Sequence, residues 1–139
     1  MTNTSHATRS PDTVAIIEPD VLARMTIAEY LRDCGYRVIE AMNPADVFTL
    51  LAAGTVIRNV LCETRLDGDL DGLAFAKDVR RRFPATDVIL SVGAANATDK
   101  AGALCEEGPL QKPFHPQELL RRIQRLRERR RQNALPSPV

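Results

Sequence analysis

The chain has 139 residues, a length that suits one domain of ordinary size and excludes two. At 44% hydrophobic and 27% charged, its composition is that of a globular protein and excludes a collagen-like or wholly disordered chain. The 19 Lys+Arg against 18 Asp+Glu leave a net charge of +1, which excludes a polyanion partner for the molecule as a whole, although the C-terminal end is strongly basic.

Residues 1–12 are polar, carry Pro11 and are expected to form a disordered tail. Thr13 to Glu18 (TVAIIE) is a short apolar, β-branched run and predicts a buried strand. Val21 to Cys34 spaces Leu22, Met25, Ala28 and Leu31 three apart on a drifting apolar stripe, which predicts a helix stopped by Gly35. Tyr36 to Ala41 reads as a second strand. Asn43-Pro44 couples a capping side chain to proline at the first helical position and opens a helix ending at Gly54.

Asn59 to Glu63 reads as a third strand, 64–70 as a polar loop rich in Gly and Asp, and Asp71 to Phe83 as a helix closed off by Pro84. Asp87 to Ser91 is a fourth strand, the Ala-rich stretch 94–106 is weakly helical, and Pro109 to Gln111 is a short fifth strand. His115-Pro116 opens the last helix, with Leu119, Leu120, Ile123 and Leu126 as its buried face and Glu118 early in its first turn, where a negative charge suits the dipole. Asn133 to Val139 carries two prolines and is expected to be loose, leaving a folded domain over 13–132.

Strands and helices of these lengths in strict alternation imply an α/β fold, a parallel sheet covered by helices on both faces. Ligand sites in such sheets lie beyond the carboxyl ends of the strands. That rule selects Glu18-Pro19-Asp20, Glu63, Ser91 and Lys112. Carboxylates, a hydroxyl and an ammonium converging on one crevice suit a divalent cation together with a phosphoryl group. Hard cations take carboxylate oxygens, and lysine and hydroxyl donors serve phosphoryl oxygens.

Over about residues 13–130 the chain resembles the receiver domains of bacterial response regulators in two-component signalling. Four segments carry the resemblance. They are the IIE-x-D-x-x-x-R run at 16–24, NVLCETRLDGDLDGLAFA at 59–76, VILSVG at 88–93 and LQKPF at 110–114. The resemblance implies a flavodoxin-like, doubly wound five-stranded sheet of order 2-1-3-4-5. It implies that Glu63 stands at the phosphoacceptor position, Ser91 is the switch hydroxyl and Lys112 is the lysine that contacts the phosphoryl group. For Mg²⁺ it implies Glu18, Glu63 and the backbone carbonyl of Arg65, with Asp20 a further candidate.

Two departures weaken that chemistry. Glu63 stands where the family has Asp, and Pro19 replaces the second acid. Milder changes are Pro109, where the family often has Tyr or Phe, and Val92, bulkier than usual there. The expectation is weak Mg²⁺ binding and no conventional phosphorylation. Glu63 then either stands in for the phosphorylated state, leaving the switch to a partner, or is an inert drifted residue; a residually phosphorylated receiver is the third reading. The role implied is phosphorelay signal transduction by protein–protein contact with a histidine kinase, phosphotransferase or output protein, the alternative being a pure scaffold with a vestigial pocket. The family also implies a homodimer through its fourth helix, fifth strand and fifth helix.

Other motifs read as structure. Asp67-Gly-Asp69-Leu-Asp71-Gly72, with Asp78 at the twelfth position, has calcium-loop spacing, but a strand precedes it where a helix is required. The seven arginines between Arg121 and Arg131 read first as a solvated helix face, then as a contact for an acidic protein; nucleic acid is not expected. Cys34, Cys62 and Cys105 lack metal or redox spacing and read as buried reduced thiols. His6 falls in the tail and His115 caps a helix. No phosphate loop or nucleophile elbow is present, so no enzyme is expected. With no apolar span and no signal core, the reading is a cytoplasmic protein with no membrane partner.

Overall fold

The computed structural model describes residues 12–66, 71–93 and 108–134. The expected tails up to residue 11 and beyond 134, His6, Asp67 and Asp69 of the calcium-like run, and the helix expected over 94–106 with Cys105 lie outside the described residues.

Along the chain come β1 (Thr13–Ile17), α1 (Val21–Asp33), β2 (Arg37–Ala41), α2 (Pro44–Ala52), β3 (Asn59–Glu63), α3 (Asp71–Arg82), β4 (Asp87–Val92), β5 (Leu110–Gln111) and α4 (Pro116–Ala134). The strands form one sheet of order β2-β1-β3-β4-β5, every pair parallel. This is the doubly wound, flavodoxin-like order expected. The last helix runs through Ala134, so Asn133 and Ala134 are helical where a loose tail was expected from 133.

Strand alternation divides the core in two. Ala15, Ile17, Val60, Cys62, Leu90 and Val92 face α2 and α3, meeting Val47, Leu51, Leu73, Phe75, Ala76 and Val79. Val14, Ile16, Leu61, Ile89 and Leu110 face α1 and α4, meeting Ile27, Ala28, Leu31, Leu119 and Ile123. Burial of an aliphatic side chain on either layer contributes roughly 1.5–3 kcal/mol. In α4, Leu119 and Ile123 are fully buried, and Leu120 and Leu126 pack at the margin of the same layer.

The stripe expected on α1 is corrected. Leu22 and Met25 are 76% and 52% exposed, and the buried residues are Ile27, Ala28 and Leu31. A run spaced three apart rotates about 60° off a face with each step, so its early members leave the core by the second turn. The face that packs instead includes Arg24, whose stem is covered while its guanidinium donates to the Glu18 carbonyl at 2.7 Å and pairs with Glu40 at 3.4 Å. Arg32 closes the same Glu40 carboxylate at 3.1 Å.

The helix stops behave as expected from sequence. Gly35 and Gly54 take φ of 97° and 94° just past α1 and α2, a region L side chains rarely adopt. Asn43 caps α2 by accepting from the Asp46 amide at 3.0 Å. At the opposite end of the sheet, Arg130 binds both carboxylate oxygens of Asp87, at 2.6 and 2.8 Å, and holds the end of α4 against the start of β4.

Candidate functional site

The site follows from the same alternation. Ile16, Leu61, Ile89 and Leu110 lie on the face toward α1 and α4. Two residues further along each strand stand Glu18, Glu63, Ser91 and Lys112. Side chains two apart share a face, so all four continue one stripe at the carboxyl ends of β1, β3, β4 and β5. Register aligns them, with Glu63 opposite Ser91 and the Lys112 amide donating to the Val92 carbonyl at 2.8 Å. The peptide between Lys112 and Pro113 is cis.

Lys112 is the hub. Its ammonium donates to Glu18 Oε1 in a short hydrogen bond and lies 3.1 Å from Glu63 Oε1. Glu18 is only 5% exposed, and its other oxygen accepts from the Asp20 amide at 3.0 Å. Burial pulls the Lys112 ammonium toward its neutral form, but the hydrogen bonds and charges of Glu18 and Glu63 outweigh burial and raise its pKa above the ordinary lysine value. The buried Ser91 shares their rim; its carbonyl is fixed by the Thr64 amide at 2.8 Å and the Thr64 hydroxyl at 3.1 Å.

Asp20 is placed differently from its acidic neighbours. Its Oδ1 accepts from the amides of Leu22 and Ala23 at 3.0 and 3.2 Å, so its carboxylate caps α1. Arg65 follows Glu63 by two residues, in the stretch leaving β3. His115 serves as the expected cap, its Nδ1 accepting from the Gln117 amide at 3.0 Å.

Mg²⁺ asks for several oxygens in near-octahedral array. Here both pocket carboxylates lean on one ammonium, Asp20 is committed to a helix end, and Pro19 supplies no side-chain oxygen. Among the described residues no group of three or more His, Cys, Asp or Glu is placed to hold a metal ion. The donor set in this arrangement does not fit a tightly held divalent cation.

Three contributors escaped the sequence reading. Thr64, fully buried, ties β3 to β4 through Ser91 and accepts from the amides of Gly72 and Leu73 at 3.1 and 3.3 Å. Gly72 lets α3 start against β3, since a Cβ there would stand 1.7 Å from the Glu63 carbonyl oxygen. Arg24 anchors the Glu18 backbone. Gly72 left a signal, as the Asp-Gly pair at the start of the third helix, and Arg24 closes the IIE-x-D-x-x-x-R run, though neither role was read from it.

The cysteines split. Cys62 is buried on the opposite face of β3 from Glu63, and burial, reinforced by the Glu63, Glu18 and Asp71 charges, pushes its thiol up to about 12. Cys34 is exposed, which corrects the expectation that it is buried. In the native protein at pH 8, iodoacetamide is expected to modify Cys34 and spare Cys62, read by peptide mass mapping; equal labelling of the two would contradict the burial described.

Comparison with known proteins agrees with this construction. The profile of the response regulator receiver domain matches residues 14–124, and the chain belongs to that family. Among solved structures, a response regulator receiver domain from Clostridium thermocellum superposes with a TM-score of 0.75 at 20% identity, over 86% of this chain and 97% of that one. A CheY-like receiver domain protein from Methanospirillum hungatei gives 0.75 at 17% identity, over 90% and 100% of the two chains. A response regulator from Thermotoga maritima gives 0.66 at 23% identity, over 83% and 96%. These likenesses establish the fold, and the family places the chain in two-component signalling. No helix among the described residues is long and apolar enough to cross a membrane.

Proposed function

We propose that this receiver signals by protein–protein contact without a conventional phosphorylation cycle, its pocket held by Glu63 on Lys112. The observation that carries this reading is the 3.1 Å approach of the two side chains. In the family's chemistry the lysine meets a phosphoryl oxygen. Here the longer Glu63 side chain brings a carboxylate to the ammonium directly, and Glu18 saturates its other side.

Reactivity is opposed on two counts. The extra methylene displaces the acceptor oxygen by about 1.5 Å, and a misplacement near ~1 Å costs an in-line transfer roughly 100-fold. The missing acid at Pro19 weakens Mg²⁺, which would otherwise neutralise the incoming phosphoryl charge. Binding by a histidine kinase, phosphotransferase or output protein then sets the state. Val21, Leu22 and Met25, at 50%, 76% and 52% exposed, open α1 just past the Glu18 rim and give such a partner an apolar surface.

Incubation with acetyl phosphate and Mg²⁺ tests this by intact mass. The natural sequence is expected to gain no phosphoryl group, and the double variant Glu63→Asp/Pro19→Asp to gain one. A phosphoryl group on Glu63 of the natural sequence would sink the reading.

A further inference from the structure

We infer that the opposite, amino-terminal rim of the sheet carries a second binding surface, a basic cleft that takes an acidic segment of a partner protein. The cleft encloses about 370 Å³. Its walls come from chain positions far apart: Asp12 before β1, Arg58 and Asn59 at the start of β3, Asp87 at the start of β4, and the last two turns of α4. Every strand residue in it lies at a strand's beginning, so it shares no side chain with the Lys112 pocket.

Its charges fall into two sets. Asp87 fixes Arg130 through both carboxylate oxygens, and the Pro84 carbonyl accepts from the same guanidinium at 2.7 Å. Asp12 lies 3.6 Å from Arg127. Asp87 thereby holds Arg130 in place, and Asp12 offsets the charge of Arg127. Arg58 and Arg131 supply the remaining charge. Arg58 is exposed and has no carboxylate partner among the described residues. Among the described residues Arg131 meets Glu128, at 3.2 Å in a solvent-exposed pair one helical turn apart. Such pairs contribute little and exchange readily for a better acceptor.

Asn59 is 4% exposed and lies in the cleft lining, where its amide adds a donor and an acceptor. The result is a pair of available guanidiniums beside the Arg130–Asp87 pair, and guanidiniums suit separate carboxylates bound end-on or bidentate.

The same features disfavour a nucleic acid. Asp12 and Asp87 put two carboxylates in the lining, which repel a phosphate backbone, and among the described residues no aromatic side chain is part of that lining to stack a base. The protein's net charge of +1 gives no broad field to draw in a polyanion. An acidic peptide can place its carboxylates on Arg58 and Arg131 and route its uncharged positions past the aspartates.

Fluorescence anisotropy with a labelled Glu-rich peptide tests the cleft in the full chain. The natural sequence is expected to bind it, weakly and with loss of affinity as salt rises. The double variant Arg58→Glu/Arg131→Glu is expected to bind about tenfold or more weakly. The charge-matched control Arg80→Glu/Arg81→Glu, on the exposed end of α3, is expected to stay within about twofold of the natural sequence. Equal loss in both double variants, or no binding by the natural sequence, overturns the proposal. So does a labelled duplex DNA that binds more tightly than the peptide, or inorganic phosphate that displaces the peptide at millimolar concentration.

Discussion

Gly72→Ala is expected to destabilise the protein by about 3 kcal/mol or more, the scale of a severe steric defect in a packed core. The added Cβ would lie 1.7 Å from the Glu63 carbonyl oxygen and 2.8 Å from its carbonyl carbon. Both atoms belong to the backbone of a central strand, so neither can swing aside as a flexible side chain would. α3 must move off the sheet, and with it go the hydrogen bonds from the Gly72 and Leu73 amides to Thr64. Urea unfolding measures the loss. Gly93→Ala is the control, because a Cβ at Gly93 has nothing within 4 Å. A Gly72→Ala midpoint matching that of Gly93→Ala would show that α3 does not press on β3 as described.

Lys112→Met should give the second large effect, a loss on the order of 2–4 kcal/mol at neutral pH, because removing one partner strands a buried opposite charge. Glu18 is almost wholly buried, and Glu63 would face it with no cation between them. Adding Glu63→Gln to Lys112→Met is expected to recover part of the loss, whereas Glu63→Gln alone should lower stability; a cycle of the four proteins isolates the coupling. The pH dependence has a definite sign. The Lys112 pKa is raised in the folded protein, so its contribution is full below the ordinary lysine value of 10.5 and fades as pH rises through the raised one. The Lys112→Met deficit should therefore narrow in strong alkali. A deficit flat with pH would mean that the loss is one of packing.

Much of this pocket was legible in the sequence because strand parity leaves little freedom. Once TVAII, NVLCE and DVILS are strands of a parallel sheet, Glu18, Glu63 and Ser91 must project from the ends on one face. Lys112 joins them because β5 is short and the chain turns at once. Helix faces were less legible. Leu22 and Met25 fit an apolar stripe by spacing, yet Arg24 won the inward position because its guanidinium satisfies a buried carbonyl and a neighbouring carboxylate. Asp20 looked like a third pocket acid, and the demand for a cap on α1 claimed it. Thr64 gave no sign, since its role depends on a carbonyl 27 positions away. The double contact of Lys112 depends on side-chain reach, which spacing alone does not fix.

The contacts around Thr64 join what the chain order keeps apart. Its amide and hydroxyl both take the carbonyl of Ser91, and its own carbonyl takes the first amides of α3. A displacement of β4 at Ser91 therefore cannot stay local. It pulls Thr64, and Thr64 pulls the start of α3, like links in a taut chain. Thr64, the tip of β4 and the start of α3 are thereby tied into one hydrogen-bonded unit. Any partner that grips the tip of β4 thereby gains mechanical leverage on a helix it does not touch.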